Sequence, residues 1–263
     1  MTAWEIKMKI GIVGCKGRVG TLLVNEILAG NWKGATLAGG TVLPEDMKGK
    51  SDFFITTDAE ELFKKSDVVI DFTSPTATRK HAKLAAKHKK ALIVGTTGLS
   101  PVDEKELAVA AKNTVIVQSA NFSVGVNVLL ALVERGAASL DEDFDIEIFE
   151  AHHKNKVDAP SGTALALGKS AASGRKVDLK KAADYARHGE TGKRKRGKIG
   201  FSVARGGDVV GDHRVFFYGE GERVELSHIA TNRSLFARGA IRAALWTKGK
   251  KSGLYSMKDI LGL

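Results

Sequence analysis

Residues Glu150 to Thr163 read EAHHKNKVDAPSGT and gather the side chains best suited to chemistry. His152, His153 and Lys156 leave an alternating apolar run and enter a polar loop, where rigid scaffolds commonly present reactive groups. Histidine exchanges protons near neutral pH, and lysine donates a proton or holds an anion. Pro160-Ser161-Gly162-Thr163 then opens a helical stretch, Ala164 to Ala172, with Ser161 or Thr163 suited to cap it. The unpaired N–H groups of such a helix start make a site for a carboxylate. Proton donors beside an anion-binding helix start would form a reaction site. The same residues also read as a solvated polar loop before a capped helix, and local spacing does not separate the two. Adjacent histidines point in different directions and bring no third ligand, so no metal is expected.

A second cluster lies near the beginning. Gly14, Gly17 and Gly20 (GCKGRVG) follow a strand-like run and open a helical one. The first glycine allows a tight turn, the next a close approach of backbone to a pyrophosphate, and the last close helix–strand packing. The helix start offers N–H groups and a positive dipole to the phosphates. The alternative is a tight turn without ligand, which the surrounding strand–helix alternation disfavours. Cys15 inside the loop has no neighbouring base and reads as filler rather than nucleophile. After the second strand comes Ala38-Gly39-Gly40-Thr41-Val42-Leu43, with no acid until Glu45 behind Pro44. A carboxylate that would hold the ribose 2′-OH of NADH and repel a 2′-phosphate is thus missing. Lys16 and Arg18 stand near enough in sequence to meet that phosphate, which favours NADPH over NADH.

These residues need elements to hold them. Ile6 to Val13 (IKMKIGIV) becomes wholly apolar, as a strand does on entering a sheet covered on both faces. A helix is predicted from Arg18 to Leu28 and a second strand from Ala35 to Gly39. Further strands are predicted at Asp67–Phe72, Ala91–Val94 and Thr114–Val117, with helices at Ala77–His88 and Val102–Ala111. That alternation implies right-handed crossovers and a parallel sheet. The period then changes. A helix from Val124 to Ala138 leads into a strand, Asp145–Glu150, and three closely spaced strands follow at Lys198–Ala204, Val209–Tyr218 and Arg223–Ala230. Such runs suggest an antiparallel or mixed sheet. An apolar helix, Leu235–Trp246, ends the pattern. Two domains follow, with a boundary near residue 123.

Composition narrows the class. The 263 residues are 43% hydrophobic and 27% charged, an ordinary globular balance that argues against disorder. No run approaches the ~18 apolar residues of a membrane helix, and Met1–Lys9 holds no apolar signal core. With Cys15 the single cysteine, no intrachain disulfide is possible, and a cytoplasmic setting is expected. Lys and Arg number 41 against 30 Asp and Glu, a formal charge of +11, to which Lys193–Lys198 (KRKRGK) contributes. Only 6% of residues are aromatic, which is thin for stacking on bases, so a nucleic-acid partner is not expected. Most of the positive excess reads as solvated surface.

With the stretch EAHHKNKVDAPSGTALALGK in view, the sequence resembles the dihydrodipicolinate reductase family, also called 4-hydroxy-tetrahydrodipicolinate reductases. GIVGCKGRVG, DFTSPTAT, VGTTGLS, SANFSVGVN, IGFSVARGGDVVGDH, FYGEGERVELSH and FARGAIRAALW match that family in order, over nearly the whole chain. The resemblance implies an α/β fold: a Rossmann-type doubly wound parallel sheet, then an α+β domain on a mixed or antiparallel sheet. It returns the closing helix to the first domain, giving residues 1–123 plus 234–263 for dinucleotide binding and 124–233 for substrate binding and assembly into a homotetramer. It implies NAD(P)H-dependent reduction of a cyclic imine dicarboxylate to tetrahydrodipicolinate, in the diaminopimelate route to lysine. His152 would donate and accept the proton, Lys156 would donate one, and His153, Gly162 and Thr163 would bind substrate. Gly14, Cys15, Lys16, Gly17, Arg18, Val19, Gly95, Thr96, Thr97, Ser119, Ala120, Asn121 and Phe122 would contact the cofactor. Val42 stands where the family often carries an acid, and KRKRGK is unusually basic for it. Two competing readings are a dehydrogenase of similar build for another small carboxylate, and a dinucleotide-sensing regulator that binds nucleic acid.

Overall fold

The computed structural model describes residues 7–47 and 51–263. Ile6, where the first strand was expected to begin, lies outside the described residues. The chain opens with β1 (Met8–Val13), α1 (Arg18–Leu28) and β2 (Ala35–Thr41), then a 3-10 turn at Pro44–Met47. It continues through β3 (Ile55–Thr56), α2 (Ala59–Lys65), β4 (Val68–Asp71), α3 (Pro75–His88), β5 (Ala91–Val94), α4 (Pro101–Ala110) and β6 (Val115–Gln118). Next come α5 (Val124–Ser139), β7 (Asp145–His152), α6 (Gly162–Gly174), α7 (Leu179–Ala182), β8 (Ala183–Asp184), β9 (Ile199–Arg205), β10 (Gly211–Tyr218) and β11 (Arg223–Ala230). The last elements are α8 (Ser234–Trp246), β12 (Gly253–Tyr255) and α9 (Met257–Leu261). Two compact units result, one from the described residues up to Val124 together with Ser234–Leu263, the other from Gly125–Arg233.

In the first unit, the described strands form a seven-stranded sheet in the order β12-β6-β5-β4-β1-β2-β3, every pair parallel. Alternate residues of each strand feed opposite faces. Ile10, Ile12, Val68, Ile70, Ile93 and Val117 pack toward α1 and α8, while Val69, Leu92, Val94 and Ile116 join Leu62, Phe63 and Leu107 on the other side. Both faces are therefore dry, which is why these strands read as unbroken apolar runs. Helix α8 sits close, since a Cβ at Gly239 would lie 1.7 Å from the Phe122 carbonyl oxygen. Strand order reverses direction beside β1, so the sheet has its switch point at the carboxyl ends of β1 and β4.

The second unit holds a mixed sheet in the order β11-β10-β7-β9-β8. β7 runs antiparallel to β10 and parallel to β9. One sheet face buries Ile146, Ile148, Val215 and Phe217 against Leu129 and Val133 of α5 and Leu167 and Ala171 of α6. The other carries Glu147, Phe149, Arg214 and Phe216. Among the described residues, no helix is long and apolar enough to cross a membrane.

Several boundaries differ from the sequence expectation. β7 runs two residues further, to His152, because its backbone stays paired to Arg205 of β9 and, at Ala151, to Asp212 of β10. The strands β3, β8 and β12, of two or three residues, are too short to show a period. The basic run is also not simply solvated: Arg194 binds Asp145 and Glu147 of β7 and keeps a fifth of its side chain exposed, and Arg196 binds Asp143.

Candidate functional site

Each unit carries one group of candidate residues. In the first, Gly14 turns the chain out of β1 with φ +68°, a conformation that favours glycine. Its N–H donates to Thr41 Oγ1 (2.9 Å) and the Cys15 N–H donates to the Thr41 carbonyl (2.9 Å), tying the loop to the end of β2. A Cβ at Gly20 would sit 2.1 Å from the Gly14 carbonyl oxygen, so the helix can approach the loop only with glycine there. No side chain caps the start of α1 at Gly17, which leaves its first turn without a side-chain acceptor, as an anion site requires. This cradle fits a dinucleotide phosphate chain. Lys16, Gly17 and Arg18 are exposed, Val19 is half-buried, and Lys16 Nζ donates to the Asp46 carbonyl. The Cys15 thiol is buried against Gly40, and burial pushes its pKa up. A protonated, buried thiol is no nucleophile, so Cys15 can offer a ligand its backbone alone.

The other candidates for cofactor contact follow β5 and β6, at the carboxyl ends of parallel strands. Gly95 and Thr96 are buried and Thr97 is exposed. Ser119 Oγ donates to the Asn121 carbonyl (2.8 Å), and Asn121 Oδ1 accepts from the Ser123 N–H (2.8 Å), shaping a compact turn with Ala120 at its exposed tip. The Phe122 ring packs edge-on to Phe72 at 5.6 Å in the core. Beneath these loops lies a network that sequence reading missed. Asp71, fully buried, accepts from His81 Nδ1 (2.8 Å), the Thr73 N–H (2.9 Å) and Thr73 Oγ1 (2.6 Å). Thr96 Oγ1 accepts from Thr78 Oγ1 (2.9 Å) and from the Thr73 N–H (3.1 Å). Burial alone would raise the Asp71 carboxyl, but the His81 and threonine donors hold it below its ordinary value. The Thr96 hydroxyl is thus committed to the interior and fixes the loop.

In the second unit, β7 places Glu150 and His152 two residues apart, on one face. Glu150 is fully buried and its carboxylate takes four hydrogen bonds. Oε1 accepts from Arg205 Nη2 (2.8 Å) and the Ser161 N–H (2.9 Å); Oε2 accepts from Arg205 Nη1 (2.8 Å) and His152 Nδ1 (2.6 Å). Burial by itself would raise this carboxyl, and the Arg205 fork, with His152 and Ser161, brings it below the usual range. Ser161 proves to be the cap of α6, its Oγ accepting from the Ala164 N–H at 3.1 Å. Gly162 and Thr163 therefore begin the helix at its positive end, and open space surrounds Gly162. His153 is half-buried; burial, and then the positive charge of Arg233, lower its pKa. Lys156 Nζ pairs with Asp158 Oδ1 at 2.8 Å.

His213, 4% exposed, completes this group. Its Nε2 lies 3.1 Å from Ser161 Oγ and its ring meets that of His152 edge-on at 5.2 Å. Burial, followed by the neighbouring His152, pushes its pKa down to about 4. Nδ1 has no partner, so protonation would bury an unpaired N–H as well as a charge. A base with a depressed folded pKa stabilises the fold fully above its unfolded pKa of about 6.5 and loses that contribution as pH falls toward 4. We expect about 3 kcal/mol of stability to be lost across that window. Urea midpoints at pH 7 and 4.5 check this, with His213→Gln showing the smaller acid shift. Equal shifts in the two proteins refute it. His153 and His228, also lowered by burial, act in the same direction in both. Among the described residues, no three His, Cys, Asp or Glu side chains are placed to hold a metal ion.

Arg205 and His213 were not found from sequence, standing more than fifty residues from their partners with no local signal.

Known proteins resemble this chain over nearly its whole length. Residues 8–122 match the family description "Dihydrodipicolinate reductase, N-terminus" and residues 125–261 match "Dihydrodipicolinate reductase, C-terminus". The chain is 49% identical to the 4-hydroxy-tetrahydrodipicolinate reductase of Dinoroseobacter shibae, covering 97% of this chain and 98% of that one. It is 48% identical to that of Methylocella silvestris, covering 97% of each. Among solved structures, the dipicolinate-bound dihydrodipicolinate reductase of Paenisporosarcina sp. TG-14 shares the fold, with a TM-score of 0.81 at 22% identity over 97% of this chain and 99% of that one. The glycine cradle, the His–Lys loop and two matches that together span nearly every residue lead to one assignment: the chain belongs to the dihydrodipicolinate reductase family.

Proposed function

We propose that the chain is an NAD(P)H-dependent 4-hydroxy-tetrahydrodipicolinate reductase that produces tetrahydrodipicolinate in the diaminopimelate route to lysine. The observation that carries this reading is the 48–49% identity, over almost the full length, to relatives bearing that name. Bound NAD(P)H would supply a hydride, equivalent to two electrons and one proton, to the conjugated C=C–C=N formed when the ring's 4-hydroxyl leaves as water. The protein then has to quench the negative charge left on the ring. His152 donates the single proton this requires and recovers one from solvent, with Lys156 as the second group able to donate the same proton while its ammonium neutralises the developing charge. His153, Gly162 and Thr163 hold the substrate's carboxylates, supported by the exposed start of α6. Residues 1–123 with 234–263 bind the dinucleotide and residues 124–233 bind the dicarboxylate.

Gly14, Cys15, Gly17 and Val19 contact the pyrophosphate side of the cofactor, and Gly95, Thr96, Thr97, Ser119, Ala120, Asn121 and Phe122 its nicotinamide side. Exposed Lys16 and Arg18, with no acid at Val42, suit a 2′-phosphate, so NADPH is the preferred cofactor. We place the enzyme in the cytoplasm as a homotetramer, supported by the sheet face bearing Phe149 and Phe216 opposite the helices; sedimentation as a monomer contradicts that assembly. Nucleic acid is not a partner in this reading, since Arg194 and Arg196 of the basic run are bound to acids of the same unit. The decisive experiment follows NAD(P)H oxidation while a synthase makes the substrate in situ from pyruvate and aspartate semialdehyde. Oxidation should require the substrate, and kcat/KM should be at least severalfold higher with NADPH. No oxidation of either nucleotide by folded protein, with a working synthase, overturns the function. Equal use of both overturns the preference alone.

A further inference from the structure

We infer that Glu150 is a positioning residue that sets the ring tautomer of His152, and that Arg205 and Ser161 determine which way Glu150 can do so. The inference deepens the reading of His152 as proton donor and rests on it for its consequence in turnover.

Four donors surround one buried carboxylate. Oε2 faces His152 Nδ1 at 2.6 Å, and a carboxylate can only accept there, so Nδ1 must carry a hydrogen. In the neutral ring that leaves Nε2 bare, as the nitrogen that takes up and gives a proton. Nε2 lies on the side of the ring toward Gly211, where a Cβ would come within 3.0 Å of it, so the position opposite it is kept free of side chain. When His152 is protonated, the positive ring is balanced through Nδ1 by the Glu150 charge. Arg205 spans both carboxylate oxygens at 2.8 Å and prevents the group from rotating away. The Ser161 N–H on Oε1 ties the same carboxylate to the start of α6, so one buried anion orients both the proton donor and the helix end proposed to bind substrate.

The geometry also dictates what an amide would do. In Glu150→Gln, the side chain NH2 must replace one oxygen. It cannot face the Ser161 N–H, which is a main-chain donor with no alternative. Nδ1 of His152 can become an acceptor by moving its hydrogen to Nε2. The NH2 therefore turns toward His152 and forces the Nε2–H tautomer, in which the protonated ring would meet an amide donor instead of an anion. In hydrolase triads the same amide-for-carboxylate exchange costs about 10⁴-fold in kcat through the wrong tautomer.

The test reads the ring directly. Histidine side chains are labelled with ¹⁵N, the His152 signals are assigned by their loss in His152→Ala, and the pH is raised until they stop moving. Wild-type protein should show hydrogen on Nδ1, Glu150→Gln hydrogen on Nε2, and Glu150→Asp, which keeps the anion, hydrogen on Nδ1. In turnover, Glu150→Gln should lose at least about tenfold in kcat with KM for NADPH within about twofold, and Glu150→Asp should recover part of the loss. Hydrogen on Nε2 in wild type, retention of Nδ1–H in Glu150→Gln, or unchanged kcat in that variant overturns the inference. Where Glu150→Gln fails to fold, wild type and Glu150→Asp decide: both must show Nδ1–H, and hydrogen on Nε2 in either overturns it. Inactive wild type, or full activity in His152→Ala, instead refutes the functional reading, while the spectra still decide whether Glu150 sets the tautomer.

Discussion

Replacing His152 with alanine is expected to lower kcat by about 10²- to 10⁴-fold while NADPH binding stays within about twofold. The reasoning begins with the charge left when hydride adds to a conjugated imine. Unless a proton arrives, that charge has to be stabilised in a site whose best cations are already committed: Arg205 to Glu150, and Lys156 to Asp158. A positioned acid removes the problem, and His152, held through Nδ1 by Glu150, is the side chain proposed to act as one. Lys156→Ala should cost at least about tenfold, divided between kcat and substrate KM, because an ammonium that must leave Asp158 can serve both charge neutralisation and binding. Asp158 is held below its ordinary pKa mainly by its hydrogen bond to Lys156, so the pair is formed at neutral pH in the free protein. Steady-state kinetics with both nucleotides, and NADPH titration by fluorescence, separate these effects. Near-normal turnover in both variants removes them from the reaction.

Gly20→Ala should cripple the nucleotide site and weaken the first unit. The added methyl would stand 2.1 Å from the Gly14 carbonyl oxygen, 2.8 Å from Cys15 Cα and 2.9 Å from its carbonyl carbon. These are backbone atoms of the loop itself and have no rotamer with which to yield. Either α1 moves away from β1, where Leu23 and Ile27 are packed, or the loop opens. Overpacking of this kind costs about 1–3 kcal/mol, and displacement of the loop removes the backbone surface that faces the phosphates. NADPH affinity should fall at least about tenfold, with a lowered urea midpoint, whereas the ¹⁵N signature of His152 in the second unit should be unchanged. Wild-type affinity in this variant would mean that the phosphates bind elsewhere.

The two effects fall on residues of differing visibility. Gly14, Gly17 and Gly20 could be identified directly, because a tight turn and a helix–strand contact each demand the absence of a side chain at a set spacing. His152 and Lys156 were visible as residue types, but their spacing was equally compatible with a solvated loop. The family resemblance, not local physics, favours the reaction site over the loop. The basic run departs from its reading at one residue. Most of the run is solvent-facing charge as read, Arg196 included, but Arg194 is held by Asp145 and Glu147, which local pattern could not reveal across some fifty residues.

Unbroken apolar runs alternating with helices determined the parallel sheet, since a strand covered on both faces has to be apolar throughout. Turn chemistry likewise determined where α1 begins, whereas for α6 the sequence left the cap open between Ser161 and Thr163 and the structure chose Ser161. Tertiary structure decided everything that depends on long-range pairing. It extended β7 to His152 through its bonds to β9 and β10. It brought Arg205 and His213 to Glu150 and Ser161, and it joined Asp71 to His81 and Thr96. The side-chain clusters around Glu150 and Asp71 share one physical reason. A buried charge has to be matched by donors wherever the fold can supply them, and their positions along the chain follow from strand order and register rather than from local spacing. The residues able to donate a proton were therefore readable in one dimension. The carboxylate that holds His152 through Nδ1 has partners that converge only in three.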